Sequence, residues 1–456
     1  MTGTSDTTGA AGGPPGAPRG TAAVPSGSEL AALRRRTSAV LVATQVLGGL
    51  GVATGIALAA VLAQEVSGSE GPAGLAVTSS VLGTAVLSLP LAVLMAARGR
   101  RAGLCLAYLI GAAGGGVVVL AAVAGSFPLL LFGMAAFGAG SSANLQARFA
   151  AADLAEPARR GRAISTVVWA TTVGAVLGPN IAAPAGRSVS GLGIPATAGP
   201  FLWGGAIFLL AAALVFALLR PDPLLTARAL AEAGADTGAE AGAGAEAGAE
   251  ARTPAEGRSL RAGLAVVAAS PRARLALAAV TCAHSAMVSI MVMTPVDLGH
   301  HGADIELIGL VISGHIAGMY AFSPLMGRLC DRLGRIPVIS LGVALTACAA
   351  LLAGTADGDH VRSAAGLFLL GLGWSAGLIG GSTLLTDSVP QEARAAVQGL
   401  SDLTMNAAAG AGGALAGLVV AQAGYGWLNA MGAALLLPVA AFVLLVRGRR
   451  PAPDGR

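Results

Sequence analysis

Residues Cys282 to Arg335 read CAHSAMVSIMVMTPVDLGHHGADIELIGLVISGHIAGMYAFSPLMGRLCDRLGR. Their reading decides the fold. Two apolar runs stand here in succession, each near the ~20 residues a helix needs to cross ~30 Å of hydrocarbon. Both carry polarizable or ionisable side chains: His284, Met287, Met291 and Met293 in the first, His315 and Met319 in the second. The second run ends in a compact Gly/Asp/Arg loop. Soft ligands at helical spacing inside a membrane predict a site, and the loop beyond them predicts a gate.

The rest of the chain repeats the same kind of run. Of 456 residues, 55% are hydrophobic and 11% charged, roughly half the charge of an ordinary soluble domain. The expected class is an all-α polytopic membrane protein. Twelve apolar runs lie near 38–64, 74–97, 102–124, 126–149, 163–185, 198–220, 273–296, 305–327, 336–354, 363–387, 395–421 and 424–447. Backbone groups in lipid must be satisfied internally, so helices are expected throughout. All 28 basic residues are Arg. Their clusters, from Arg34, Arg35 and Arg36 to Arg449 and Arg450, fall on one side of the runs, while Arg187 and Arg362 fall on the other. That bias places both termini in the cytoplasm and the chain in the cytoplasmic (inner) membrane. The net charge of +5 serves orientation and does not predict nucleic-acid binding. Cys105, Cys282, Cys330 and Cys348 have no paired spacing, so neither a disulfide framework nor a zinc site is predicted.

The domain organisation follows. Residues 1–33 read as a disordered tail, 34–220 as a six-helix bundle, and 221–272 as a low-complexity Ala/Gly/Glu linker. Residues 273–447 read as a second six-helix bundle and 448–456 as a tail. The halves repeat weakly. Asp153 and Arg159 follow span four, and Asp387 and Arg394 follow span ten. The loop LAVLMAARGRRAG follows span two where MGRLCDRLGR follows span eight. Equivalent loops with equivalent chemistry suggest two parallel repeats.

Gly327, Asp331, Arg332, Gly334 and Arg335 form G-x-x-x-D-R-x-G-R. Gly327 lets two helices approach. Asp331 can accept charge-assisted hydrogen bonds from Arg335 or from a neighbouring helix N-terminus. This loop, with twelve spans and a central linker, resembles the signature of the major facilitator superfamily. The resemblance implies two six-helix bundles working by alternating access. The first-half copy departs from it: Ala92 stands in the Gly place and Ala96 in the Asp place.

Two substrate classes stay open. Gly174, Gly178 and Pro179 in span five resemble half of the motif of proton-coupled exporters in the superfamily; a packing bend is the plain alternative. Span four, however, carries Met134 and Phe137 where those exporters carry Arg and Gln. The Met/His pattern points elsewhere. Met287 and Met291 share a helix face, as do His315 and Met319, and His284 lies one turn before Met287. Thioether with imidazole favours Cu(I), and an intramembrane His predicts function. The paired MxxxM and HxxxM resemble the CcoA-like copper importers of the superfamily. That resemblance implies copper as substrate, with Met287, Met291, His315 and Met319 as ligands; His284, Met293 and Cys282 are added here. His300 and His301 in the outer loop and Met134 are secondary candidates. Asp402 is a candidate for ion coupling, and Asp387 is expected to latch to Arg394. No resident cofactor, no catalysis and a monomer are expected. A drug or metabolite exporter is the alternative; a membrane-embedded sensor or enzyme is the remote one, for which no HExxH, GxSxG or phosphate-loop pattern is present.

Overall fold

The computed structural model describes residues 27–56, 58–68, 73–241 and 260–448. All regular structure among them is helical. Twelve helices are long and apolar enough to cross a membrane. Spans 1 to 6 are Gly27–Ser67, Gly74–Arg98, Arg100–Ala124, Phe127–Asp153, Pro157–Ser188 and Ala196–Ala233. Spans 7 to 12 are Pro271–His300, Leu307–Leu333, Arg335–Gly354, His360–Ser388, Arg394–Ala423 and Tyr425–Leu444.

Their ends follow from local chemistry. Span 7 starts at Ser270, whose side chain accepts from the Ala273 N–H. The helix containing span 8 starts at Asp304, which caps the Leu307 N–H, and span 10 starts at Asp359, which caps Val361 and Arg362. Each side chain satisfies a backbone donor that the helix itself leaves open. Span 8 breaks near Phe322, ahead of Ser323 and Pro324, so its last three turns are set separately from the rest.

Two boundaries differ from expectation. Residues 27–33 are helical and open span 1, because Glu29, Leu30, Ala31, Ala32 and Leu33 are good helix formers. The linker is helical at both flanks, over Pro223–Ala241 and Leu260–Ala269; its Ala content outweighs its scattered Gly there. The middle of the predicted linker (242–259) and both predicted tails (1–26 and 449–456) lie outside the described residues.

The first six spans pack around Phe137, Phe201 and Phe208, whose rings meet at 5.0 and 5.4 Å. The last six pack around Leu367, Leu370, Trp374 and Ile379. Between the halves, span 2 packs along span 11 and span 5 along span 8. Those two seams frame everything that follows.

Candidate functional site

A cavity of about 400 Å³ lies between the halves. It runs from Ile56 and Val77, near the Arg-poor ends of spans 1 and 2, down to Arg148. One wall is amide and hydroxyl: Gln45, Asn144 and Thr171. Gln45 Nε2 donates to Thr171 Oγ1 at 2.8 Å, and Tyr108 Oη donates to Asn144 Oδ1 at 3.0 Å. Gln45 Oε1 is buried and unpartnered. The facing wall is aromatic: His284, Tyr320 and Trp374. Trp374 Nε1 donates to His284 Nδ1 at 2.8 Å. That bond fixes the imidazole tautomer with its proton on Nε2. Tyr320 and Trp374 meet edge to face at 5.4 Å. Asn406 also lines the space; its amide donates to the Asp402 carbonyl at 2.8 Å.

The cavity ends on a buried polar network. Arg148 Nη2 meets Asp402 Oδ1 at 2.5 Å, and its Nε donates to Ser382 Oγ at 3.3 Å. Asp402 Oδ2 accepts from Gln146 Nε2 at 2.9 Å. Gln146 Oε1 in turn accepts from Arg100 Nη1 at 3.0 Å. Arg100 grips both oxygens of Asp153, at 2.7 and 3.2 Å, and also reaches Gln398. Two cations and two anions thus balance in a chain of bonds that crosses between spans 4 and 11. Their side chains are at most 2% exposed. In this dry setting each charge depends on its partner, since an unpaired one would be strongly destabilising. The polar contacts joining the halves gather at this Arg-rich end, and the cavity parts the halves beyond it.

Closer to the Arg-rich surface stand the two repeated loops. Their backbones coincide: Gly99 has φ +87° and Gly334 φ +93°, and each begins the next span. Only glycine takes that conformation easily. The Arg that follows behaves alike in both, Arg100 binding Asp153 and Arg335 binding Asp387 at 2.8 Å. The seams differ. Asp331 accepts from the backbone N–H groups of Gly161 and Arg162 at 2.9 and 3.0 Å, at the N-terminus of span 5. Ala96, in the equivalent place, packs against Leu224 and Ala395 at the start of span 11. A side chain on Gly327 would overlap Ser165, and one on Gly399 would overlap Ala92. In the span 5/span 8 seam glycine stands on both sides, Gly327 and Gly161; in the span 2/span 11 seam Gly399 of the facing helix meets Ala92.

The expected metal ligands are not brought together around the cavity. Of Met287, Met291, His315, Met319 and His284, only His284 lines it. His315 is fully buried and its Nδ1 engages the Leu367 carbonyl at 2.8 Å, across to span 10. Tyr320 is the span 8 residue facing the cavity, and at about 100° per residue His315 points some 140° away from it. Met287 and Met319 are buried in the second-half core, with Met291 and Met293 packed against it. Met134 is buried in the first-half core, and Cys282 is a half-buried free thiol. His300 and His301 are exposed at the end of span 7. Gly174 and Gly178 let span 5 lie against Gly49 and Ala53 of span 1, and Pro179 sits within the helix beside them.

The expected Asp387–Arg394 latch is also replaced. Asp387 binds Arg160 at 2.5 Å and Arg335 at 2.8 Å. Arg394 turns instead to the Val389 carbonyl and Gln391. Asp153 belongs to Arg100, while Arg159 stays 70% exposed, 3.7 Å from Glu156. Arg332 is exposed beside Asp331. Gln146 and Gln398 join this network without belonging to any motif singled out in the sequence, and Arg100 joins it from the first-half loop. Their signal was present, because amides and a cation inside or at the mouth of apolar spans call for internal partners.

Residues 40–296 and 275–456 match the Major Facilitator Superfamily profile. The chain belongs to the Major Facilitator Superfamily. Among its relatives in that superfamily is the uncharacterized MFS-type transporter YddS of Bacillus subtilis (strain 168). It is 37% identical over 412 residues, covering 89% of this chain and 90% of the relative. The riboflavin transporter RfnT of Brucella anthropi is 29% identical over 422 residues, covering 92% and 97%. Of solved folds, the human organic anion transporter MFSD10 superposes with TM-score 0.70 at 18% identity, covering 90% of this chain and 99% of that one. These establish a transporter of the superfamily with a twelve-helix, two-bundle fold.

Proposed function

We propose that this transporter carries a small polar organic solute with a flat ring, by alternating access, with proton exchange at Asp402 as the coupling step. The observation that carries this reading is the cavity between the halves, with amides on one wall, an aromatic trio on the other and Arg148–Asp402 beneath. Flat rings stack on Trp and Tyr, while buried amides select substrates that return their hydrogen bonds. The volume, about 400 Å³, falls in the usual range for small-molecule sites. A single ion needs little more than the ~30 Å³ share of one water, so copper would leave most of the space to solvent. Riboflavin, which the Brucella relative carries by name, is the first probe.

In this reading the Arg-rich face is cytoplasmic. Ionised Asp402 ties span 11 to Arg148 on span 4. Protonation removes that charge and leaves Arg148 with weaker partners, which loosens the seam and favours opening toward the cytoplasm. The test is thermal unfolding of the purified protein with riboflavin, a nucleoside, a pentose and Cu(I). An organic ligand is expected to raise the unfolding temperature, with the shift lost in Trp374→Ala and Asn144→Ala and kept in His315→Ala. A Cu(I) shift that needs His315 and Met319, with none from the organic probes, would overturn the proposal in favour of copper.

A further inference from the structure

A second cavity, of about 440 Å³, lies wholly within the first half at the Arg-rich face, apart from the pathway between the bundles. Spans 1, 4 and 5 form it. Four cations line it, Arg34, Arg35, Arg159 and Arg162, against one carboxylate, Glu156. Arg34 is committed already: its Nε donates to the Leu154 carbonyl at 2.8 Å and its Nη1 meets Glu156 at 2.5 Å. Arg159 shares the same carboxylate at 3.7 Å. Arg35 and Arg162 have exposed side chains and no acidic partner within ion-pair distance among the described residues. The rest of the lining is Ala151, Leu154, Ala155 and Ala163 with the hydroxyl side chains Thr37, Ser38 and Thr166.

We infer that this cavity is a site for a phosphate-bearing anion, supplied by the headgroup of an acidic membrane lipid. Excess arginine recognises phosphate oxygens through fixed planar donors. The charges lie near the starts of spans 1 and 5 at the Arg-rich face, within reach of a lipid phosphate at the bilayer surface, and the hydroxyls of Thr37, Ser38 and Thr166, further along those spans, suit a glycerol backbone. Acidic lipids concentrate where such clusters meet the bilayer surface. The site also touches the gate, because the backbone N–H of Arg162 is one of the two that hold Asp331. A phosphate drawn to the Arg162 side chain competes for the same helix N-terminus, which links lipid occupancy to opening of that seam.

Full-length protein is titrated in detergent with short-chain phosphatidylglycerol, short-chain phosphatidylcholine and glycerol 3-phosphate, and bound ligand is counted by native mass spectrometry. Phosphatidylglycerol is expected to bind at least tenfold more tightly than phosphatidylcholine. Arg35→Gln with Arg162→Gln is expected to weaken it about thirtyfold, and the Lys pair at the same positions to keep most of it. Should the Gln pair fail to fold, Arg35→Gln alone carries the comparison, with a loss of about fivefold. Competition by glycerol 3-phosphate without retention of phosphatidylglycerol assigns the same site to soluble phosphate. Equal binding of the two lipids, or phosphatidylglycerol binding unchanged by the Gln variants, overturns the site.

Discussion

The two repeated loops share a backbone and differ in what they hold. Beside the span 5/span 8 seam, Asp387 at the end of span 10 binds Arg160 of span 5 and Arg335 of span 9, and these contacts are ionic and partly wet: Asp387 is 24% exposed, Arg335 16% and Arg160 13%. On the span 2/span 11 seam the meeting surface is Ala92, Ala96, Ala395 and Gly399, and the Arg100–Asp153 pair behind it has no exposure at all. Partly wet ion pairs separate at little cost because water replaces each partner. Dry ones do not. The same loop geometry therefore carries partly wet ion pairs in one seam and dry packing in the other, as expected if only the first is released during transport. Where one half carries Asp331, the other carries Ala96 and packs it against Leu224 and Ala395.

The largest effect expected from that contrast is on stability. Asp153→Ala strands a buried guanidinium and should cost about 3–5 kcal/mol, whereas Asp387→Ala should cost about 1 kcal/mol or less. Thermal unfolding in detergent compares them, and equal losses would erase the distinction between the seams. Next in size is Gly399→Ala, whose added methyl meets Ala92 and should cost about 1–3 kcal/mol. Adding Ala92→Gly should recover much of it, and a double-mutant cycle measures that coupling directly. Asp331→Asn should leave folding intact but slow initial uptake about tenfold, because the latched state loses its charge at the span 5 N-terminus. The smallest effect belongs to Ala96→Asp placed in the Asp331→Asn background. A carboxylate now beside the start of span 11 should return uptake severalfold; no recovery would mean that the two loops are not interchangeable.

Much of this architecture is readable in the sequence, and for plain reasons. Span length, Arg bias and the Gly/Asp/Arg loop are local properties, so twelve helices and two halves follow from nearby residues, whereas the choice of the span 5 N-terminus over Arg335 as the partner of Asp331 does not. Tertiary partners do not. Arg148 and Asp402 stand 254 positions apart, and nothing local pairs them. Asp387 and Arg394 lie close in sequence, yet Asp387 is taken by two arginines from other elements. The Met and His pattern is limited in a different way. Helical spacing shows which residues share a face but not which neighbour that face meets. His315 shares its side of span 8 with Met319, and that side meets span 10 through the Leu367 carbonyl. Tyr320, one residue beyond Met319, meets the cavity instead.

The proposed transport cycle requires the cavity and the ion pair beneath it to act together. Proteoliposomes with an inward-directed proton gradient test that most directly, using labelled riboflavin as solute and Asp402→Asn beside the unaltered protein. The unaltered protein is expected to accumulate solute, driven by the proton gradient. Asp402→Asn is expected still to exchange solute across the membrane but no longer to concentrate it. Accumulation undiminished in Asp402→Asn would contradict the coupling role of Asp402, and uptake of labelled copper in place of any organic solute would contradict the substrate class.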